Sequence, residues 1–129
     1  MNASTLEHCS GVLTFDDLPG ACRTLWAKSG EPQGHSLLCH MLDVSAVALA
    51  LLEHCQVDDA QLAHWFGLPA EHVRLWLALL VGLHDFGKAT PGFQVKWPAG
   101  QAADEALGLS FAVPDALRAS RHDLATAAL

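Results

Sequence analysis

Residues 35–54 read HSLLCHMLDVSAVALALLEH, and their periodicity sets the architecture. Leu37, Leu38, Met41, Val44, Val47, Ala48, Leu51 and Leu52 recur at spacings of three and four, behind a serine, Ser36, of the kind that caps a first turn. This predicts a largely buried helix. A second stretch, residues 71–83, follows Pro69 at a first-turn position and carries Val73, Leu75, Trp76, Leu77, Leu79, Leu80 and Val81, apolar nearly all round. It predicts a central core helix that stops near Gly87. Shorter helices are predicted over 18–28, over 59–66 with Asp58 as cap, over 90–97, and over 114–129 with an interruption near Ser120. No run alternates as a half-buried strand does, so the expected fold is all-α.

The chain has 129 residues, enough to bury one core but not two, and a single domain is expected over 1–129. Residues 97–115 turn to Pro, Gly, Ala and Gln and are expected to form an internal loop. No internal repeat is visible. Residues 123–129 form an apolar helical pattern without a cap, and the expectation is a domain cut short there. With 51% apolar and 16% charged residues the chain is too hydrophobic for disorder, while its longest apolar runs fall short of a membrane span. Seven Lys plus Arg against fourteen Asp plus Glu give a net charge of −7, the wrong sign for binding a phosphate backbone unaided. Residues 1–10 lack a basic segment followed by an apolar one, so a cytoplasmic location is expected. Cys9, Cys22, Cys39 and Cys55 form no CxxC pair and are expected to be reduced core residues.

Eight histidines invite the question of whether any converge. His84 and Asp85 are adjacent at the end of the central helix, about 100° apart around its axis, so imidazole and carboxylate can lean toward one point. Such a pair is either a helix-end capping pair or part of a divalent-metal site. Gly87 allows a sharp turn, and Lys88 is placed to reach an anion held there. His40 lies on the stripe of Leu37, Val44, Val47 and Leu51, and a buried histidine needs a partner. It is either a core histidine bonded to a carbonyl or a third ligand facing His84 and Asp85, with Asp43 at i+3 to orient it. His35 competes for the same role. Arg121-His122-Asp123 offers one more imidazole beside a basic group. His8, His54, His64 and His72 sit in surface patterns. Trp76 and Trp65 are expected in the core. Trp26 and Trp97, near Lys28 and Lys96, either pack or line a groove where a base stacks.

Taken together, Trp26-Ala27-Lys28-Ser29, His35 to Val44, Leu83-His84-Asp85-Phe86-Gly87-Lys88-Ala89-Thr90 with Phe93-Gln94, and Arg121-His122-Asp123 resemble the N-terminal HD nuclease domain of the CRISPR-associated Cas3 proteins of type I systems. His-Asp-x-Gly-Lys alone occurs throughout the HD phosphohydrolase superfamily. The Trp-x-Lys-Ser and Phe-Gln elements make the match specific, and they argue against a nucleotide phosphohydrolase. The resemblance implies an all-helical HD-like bundle that binds one or two divalent transition metal ions of the Mn, Ni, Co or Fe class, with Mg also admitted, and cuts single-stranded DNA in antiviral defence.

It implies further that His40, His84 and Asp85 are metal ligands, that His122 serves a second ion, and that Lys88 binds phosphate, with Asp85 and Lys88 the catalytic pair. The implied partners are single-stranded DNA, an RNA-guided, Cascade-like surveillance complex and a helicase region in cis or in trans, with no membrane. The later histidines and distal aspartate of the family are not among these residues, so a partial HD domain is expected. A non-catalytic Cas3-like module that binds or regulates the surveillance complex is the alternative reading.

Overall fold

The computed structural model describes residues 14–30, 34–111 and 121–128. In chain order they form α1 (Gly20–Thr24), β1 (Trp26–Lys28), β2 (His35–Ser36), α2 (Leu37–Glu53), α3 (Asp59–Phe66), α4 (Val73–Gly82), α5 (Pro91–Gln94), α6 (Pro98–Ala106) and α7 (His122–Ala127). A 3₁₀ helix, Leu83–Ala89, continues α4 toward α5. Among the described residues the regular structure is helical apart from the small antiparallel β1–β2 ribbon, in which Trp26 faces Ser36.

α2 starts where predicted, with Ser36 Oγ accepting the Cys39 amide at 3.2 Å, and packs chiefly on α4. The crossing depends on Gly82, because a β-carbon there would strike Ser45 Oγ and the Met41 carbonyl. α3 is capped by Asp58, whose carboxylate accepts the Gln61 amide at 2.7 Å. It ends at Gly67 in the left-handed region, φ 65°, which turns the chain back toward α4. Leu62, Val73 and Leu77 form the core between these helices, with Leu52, Val57 and Leu68 packed around them.

Several elements depart from the sequence pattern. The helix predicted over 18–28 stops at Thr24, because the Trp26 backbone pairs with β2 and with the Gln94 side chain instead of continuing a helical ladder. The predicted loop over 97–115 contains α6. Pro98 is tolerated in a first turn, the alanines favour helix, and Gly100 lets the segment close on the Trp26 and Trp97 rings. The helix predicted over 90–97 shortens to α5, and of that over 114–129 the described part is α7. Ser120 lies outside the described residues, as do His8 and Cys9.

Burial also differs from the expectation. Trp65 and Trp76 are 59% and 46% exposed, and Val47 and Leu51 are exposed as well, because α2 and α4 cover only one face of each other. Cys22 is exposed, and Cys39 and Cys55 are half-buried free thiols. His54, His64 and His72 are on the surface as expected. Among the described residues no single helix is long and apolar enough to cross a membrane.

Asp104 on α6 is fully buried, and its carboxylate oxygens find no hydrogen bond of normal geometry among the described residues. Burial pushes its pKa above the ordinary aspartate value, and the Thr24 hydroxyl only partly opposes this. The native state therefore holds this proton more tightly than the unfolded chain. Stability from this group declines as pH rises above the unfolded aspartate value and is lost through the higher native one. Asp104→Asn is expected to raise the melting temperature at neutral pH and to flatten its decline as pH rises above about 4, as followed by circular dichroism.

Candidate metal centre

The turn after α4 tightens from α to 3₁₀ geometry at Leu83. In a 3₁₀ helix residues i and i+3 eclipse, and this puts the Lys88 ammonium 2.6 Å from Asp85 Oδ2. His84, next to Asp85, brings Nε2 to 3.2 Å from the same oxygen. His40 reaches it from α2, Nε2 to Oδ2 at 3.0 Å. His122, the first residue of α7, approaches the other oxygen, Nε2 to Oδ1 at 3.3 Å. One carboxylate thus collects three imidazoles and an ammonium from three segments of the chain.

Asp85, His40 and Lys88 are largely shielded from solvent, whereas the His84 side chain is 46% exposed and forms the open side. Burial would raise the Asp85 pKa, but the Lys88 bond and charge, His84 and the His40 bond together outweigh it, and the group lies below the ordinary range. Burial, the largest influence on His40, lowers its pKa. The Lys88 charge adds to this, and the Asp85 bond only partly opposes it. At neutral pH the centre therefore holds a carboxylate beside a neutral His40.

His84 is held from behind, with Nδ1 2.9 Å from the Val81 carbonyl. A carbonyl can only accept, so Nδ1 carries a hydrogen and Nε2 is the ring atom turned to Asp85 Oδ2. An Nε2 that carries no proton would present its lone pair there, as metal ligation requires. The donor atoms of His40, His84 and Asp85 lie within 4.8 Å of one another, and imidazole nitrogen with carboxylate oxygen is a donor set that suits divalent transition metals. The residues present fit such an ion.

α7 is anchored by contacts that the sequence did not announce. The Gly87 amide donates to Thr126 Oγ1 at 2.7 Å, and that hydroxyl donates to the His122 carbonyl at 3.0 Å. Thr126 lies at i+4 from His122, and this helical spacing was its one sequence signal. A β-carbon at Gly87 would meet the His122 carbonyl and the Thr126 amide. The Phe93 ring lies 5.4 Å from that of His122, 4.5 Å from that of Trp26 and 5.5 Å from Lys88 Nζ.

The predicted residues His40, His84, Asp85, Lys88 and His122 all meet at this point. Asp43 does not orient His40. It pairs with His35 Nε2 at 3.0 Å, and Asp85 takes His40 in its place. The reason is direction: Asp43 faces outward on α2, its side chain 69% exposed. His35 stands beside His40, ring centroids 5.9 Å apart, outside the donor group. Trp26 is buried against Phe93 and Trp97, so its ring is packing and not a stacking platform.

A His-Asp pair closing a core helix, completed by a histidine from the helix it packs on, defines the HD class of metal-binding helical domains. The family model described as "Cas3, HD domain" matches residues 26–129, and the chain belongs to that family. It is 50% identical over 92 residues to the CRISPR-associated endonuclease/helicase Cas3 of Thermus thermophilus, an overlap of 70% of this chain and 10% of the relative. No solved structure matches it.

Gly87→Ala is expected to push α7 off the 3₁₀ helix, costing about 1–3 kcal/mol of stability by overpacking. Urea denaturation checks the cost, and the side-chain resonances of His122 should lose their dependence on the Asp85 side chain.

Proposed function

We propose that this chain is the metal-dependent nuclease region of a Cas3-like CRISPR effector, hydrolysing phosphodiester bonds of single-stranded DNA. The observation that carries this reading is the His84 geometry. Its Nε2 is turned toward the Asp85 carboxylate, and His40 and His122 converge on the same group.

His40, His84 and Asp85 would hold a first divalent ion of the Mn, Ni, Co or Fe class, or Mg, and His122 would serve a second. When bound, such ions supply Lewis-acid activation of water and neutralise charge on the scissile phosphate. The chain's own residues do the rest. The Val81 carbonyl sets the His84 tautomer and Asp85 stays ionised, while Lys88 offers a compact positive charge to a nonbridging phosphate oxygen. The half-exposed His84 edge is the side from which a strand would enter, next to an apolar cavity of about 500 Å³ lined by Leu80, Leu83, His84, Phe86 and Thr126.

Acidic overall charge makes unaided capture of DNA weak. A helicase region, of the kind the Thermus relative's name carries, would deliver the strand together with an RNA-guided surveillance complex.

Cleavage of single-stranded DNA in Mn²⁺ or Co²⁺ should fall by at least about 100-fold in His84→Ala and in Asp85→Asn, with Co²⁺ binding weakened in parallel and the fold retained by circular dichroism. Undiminished cleavage in both variants would remove this site assignment. A wild-type chain that binds the surveillance complex but fails to cut DNA in any of these metals would favour the non-catalytic module instead.

A further inference from the structure

Gln94 is fully buried, and every polar atom of its side chain is engaged. Its Oε1 accepts the Trp26 amide at 3.2 Å, and its Nε2 donates to the Trp26 carbonyl at 3.0 Å and to the Lys88 carbonyl at 2.7 Å. The Trp26 indole N–H donates back to the Gln94 carbonyl at 3.0 Å. The side-chain amide thus pairs with Trp26 as a neighbouring strand would, offering one donor and one acceptor. Its remaining donor goes to the backbone of the residue whose ammonium sits on Asp85.

That third bond is more than the β1 anchor needs. Lysine has a long, flexible stem and gives up about 2 kcal/mol of rotamer freedom when ordered. Lys88 is nevertheless held with its side chain only 11% exposed. Two restraints act on it. The Gln94 bond fixes the Lys88 carbonyl and with it the 3₁₀ turn, while the adjacent Phe93 ring flanks the ammonium. Trp26, packed on Phe93 and bonded to Gln94, ties both restraints to β1.

We infer that Gln94 is a positioning residue: clamped to Trp26, it fixes the Lys88 backbone so that the Lys88 ammonium stays on Asp85, poised for a phosphate oxygen. The functional half of this inference rests on the nuclease reading above. The geometric half does not.

The test uses the full chain with ¹⁵N-labelled lysine, observed without metal. Lys28, Lys88 and Lys96 are the only lysines, so the Nζ signal of Lys88 is assigned by its loss in Lys88→Ala. In Gln94→Met, of matched length but without polar atoms, that signal should move to the position of a free, exchanging lysine. Gln94→Glu should do the same by setting a carboxylate oxygen against the Lys88 carbonyl, and it serves if the first variant fails to fold.

DNA cleavage in Co²⁺ should drop about tenfold in Gln94→Met. In Gln94→Met/Lys88→Ala it should fall no further than in Lys88→Ala alone, since residues acting through one another are not additive. An unmoved Lys88 signal in a folded variant, or losses that multiply in the double variant, would overturn the inference. If the wild-type chain neither binds Co²⁺ nor cuts DNA, the nuclease reading fails, and the metal-free nitrogen signal still decides whether Gln94 positions Lys88.

Discussion

The carboxylate of Asp85 is the constraint around which the described residues are arranged. A buried charge is costly unless it is paired and hydrogen-bonded, and Asp85 is paired by Lys88 and His40, with His84 and His122 completing its surroundings. These partners come from α2, from the 3₁₀ helix and from α7. Satisfying one side chain therefore fixes the relative placement of three segments. Lys88 has the same requirement in reverse, since an ammonium this shielded would be as costly without its aspartate.

Close approach of the backbones makes that convergence achievable. Gly82 lets α4 settle on α2 at Met41 and Ser45, on the C-terminal side of His40, and Gly87 lets α7 settle on the 3₁₀ helix so that His122 reaches Asp85. Behind these contacts, Trp26, Phe93 and Gln94 form a buried wedge that couples the small ribbon to the Lys88 turn. The opposite faces of α2, α3 and α4 are different in kind. Leu51, Trp65, Phe66, Leu80 and Val81 line an open apolar groove of about 690 Å³. The chain matches only 10% of the length of its Thermus relative, and nothing among the described residues covers this face.

The legible parts of the fold were those with local causes. The period of residues 37–53 and the Ser36 and Asp58 caps produced α2 and the start of α3 as predicted. His84-Asp85 stood out because adjacency at a helix end confines both groups to one point. His40 was legible because a histidine on an apolar stripe needs a partner. The misreadings share a cause. Residues 26–28 look helical by composition, yet hydrogen bonds to Gln94, 68 residues away, draw them into a strand. Residues 98–106 look like a loop because Pro and Gly are read as breakers, while position 98 is a first turn and Gly100 packs beneath two tryptophan rings. Trp65 and Trp76 are apolar, but apolarity says nothing about whether a neighbouring helix covers them.

The sequence by itself determined the helical class, the caps, the His-Asp pair and, through its combination of motifs, the family. Those are properties of neighbouring residues, and helix periodicity or backbone adjacency is enough to express them. Only the tertiary structure decided that Asp85 and not Asp43 holds His40, 45 residues away in the chain, and that Asp43 goes to His35. It also decided that His122 arrives with α7 and that Gln94 reaches the Lys88 turn. These pairings depend on how helices pack, and packing is set by shape and burial summed over segments far apart in the chain, which no local pattern records.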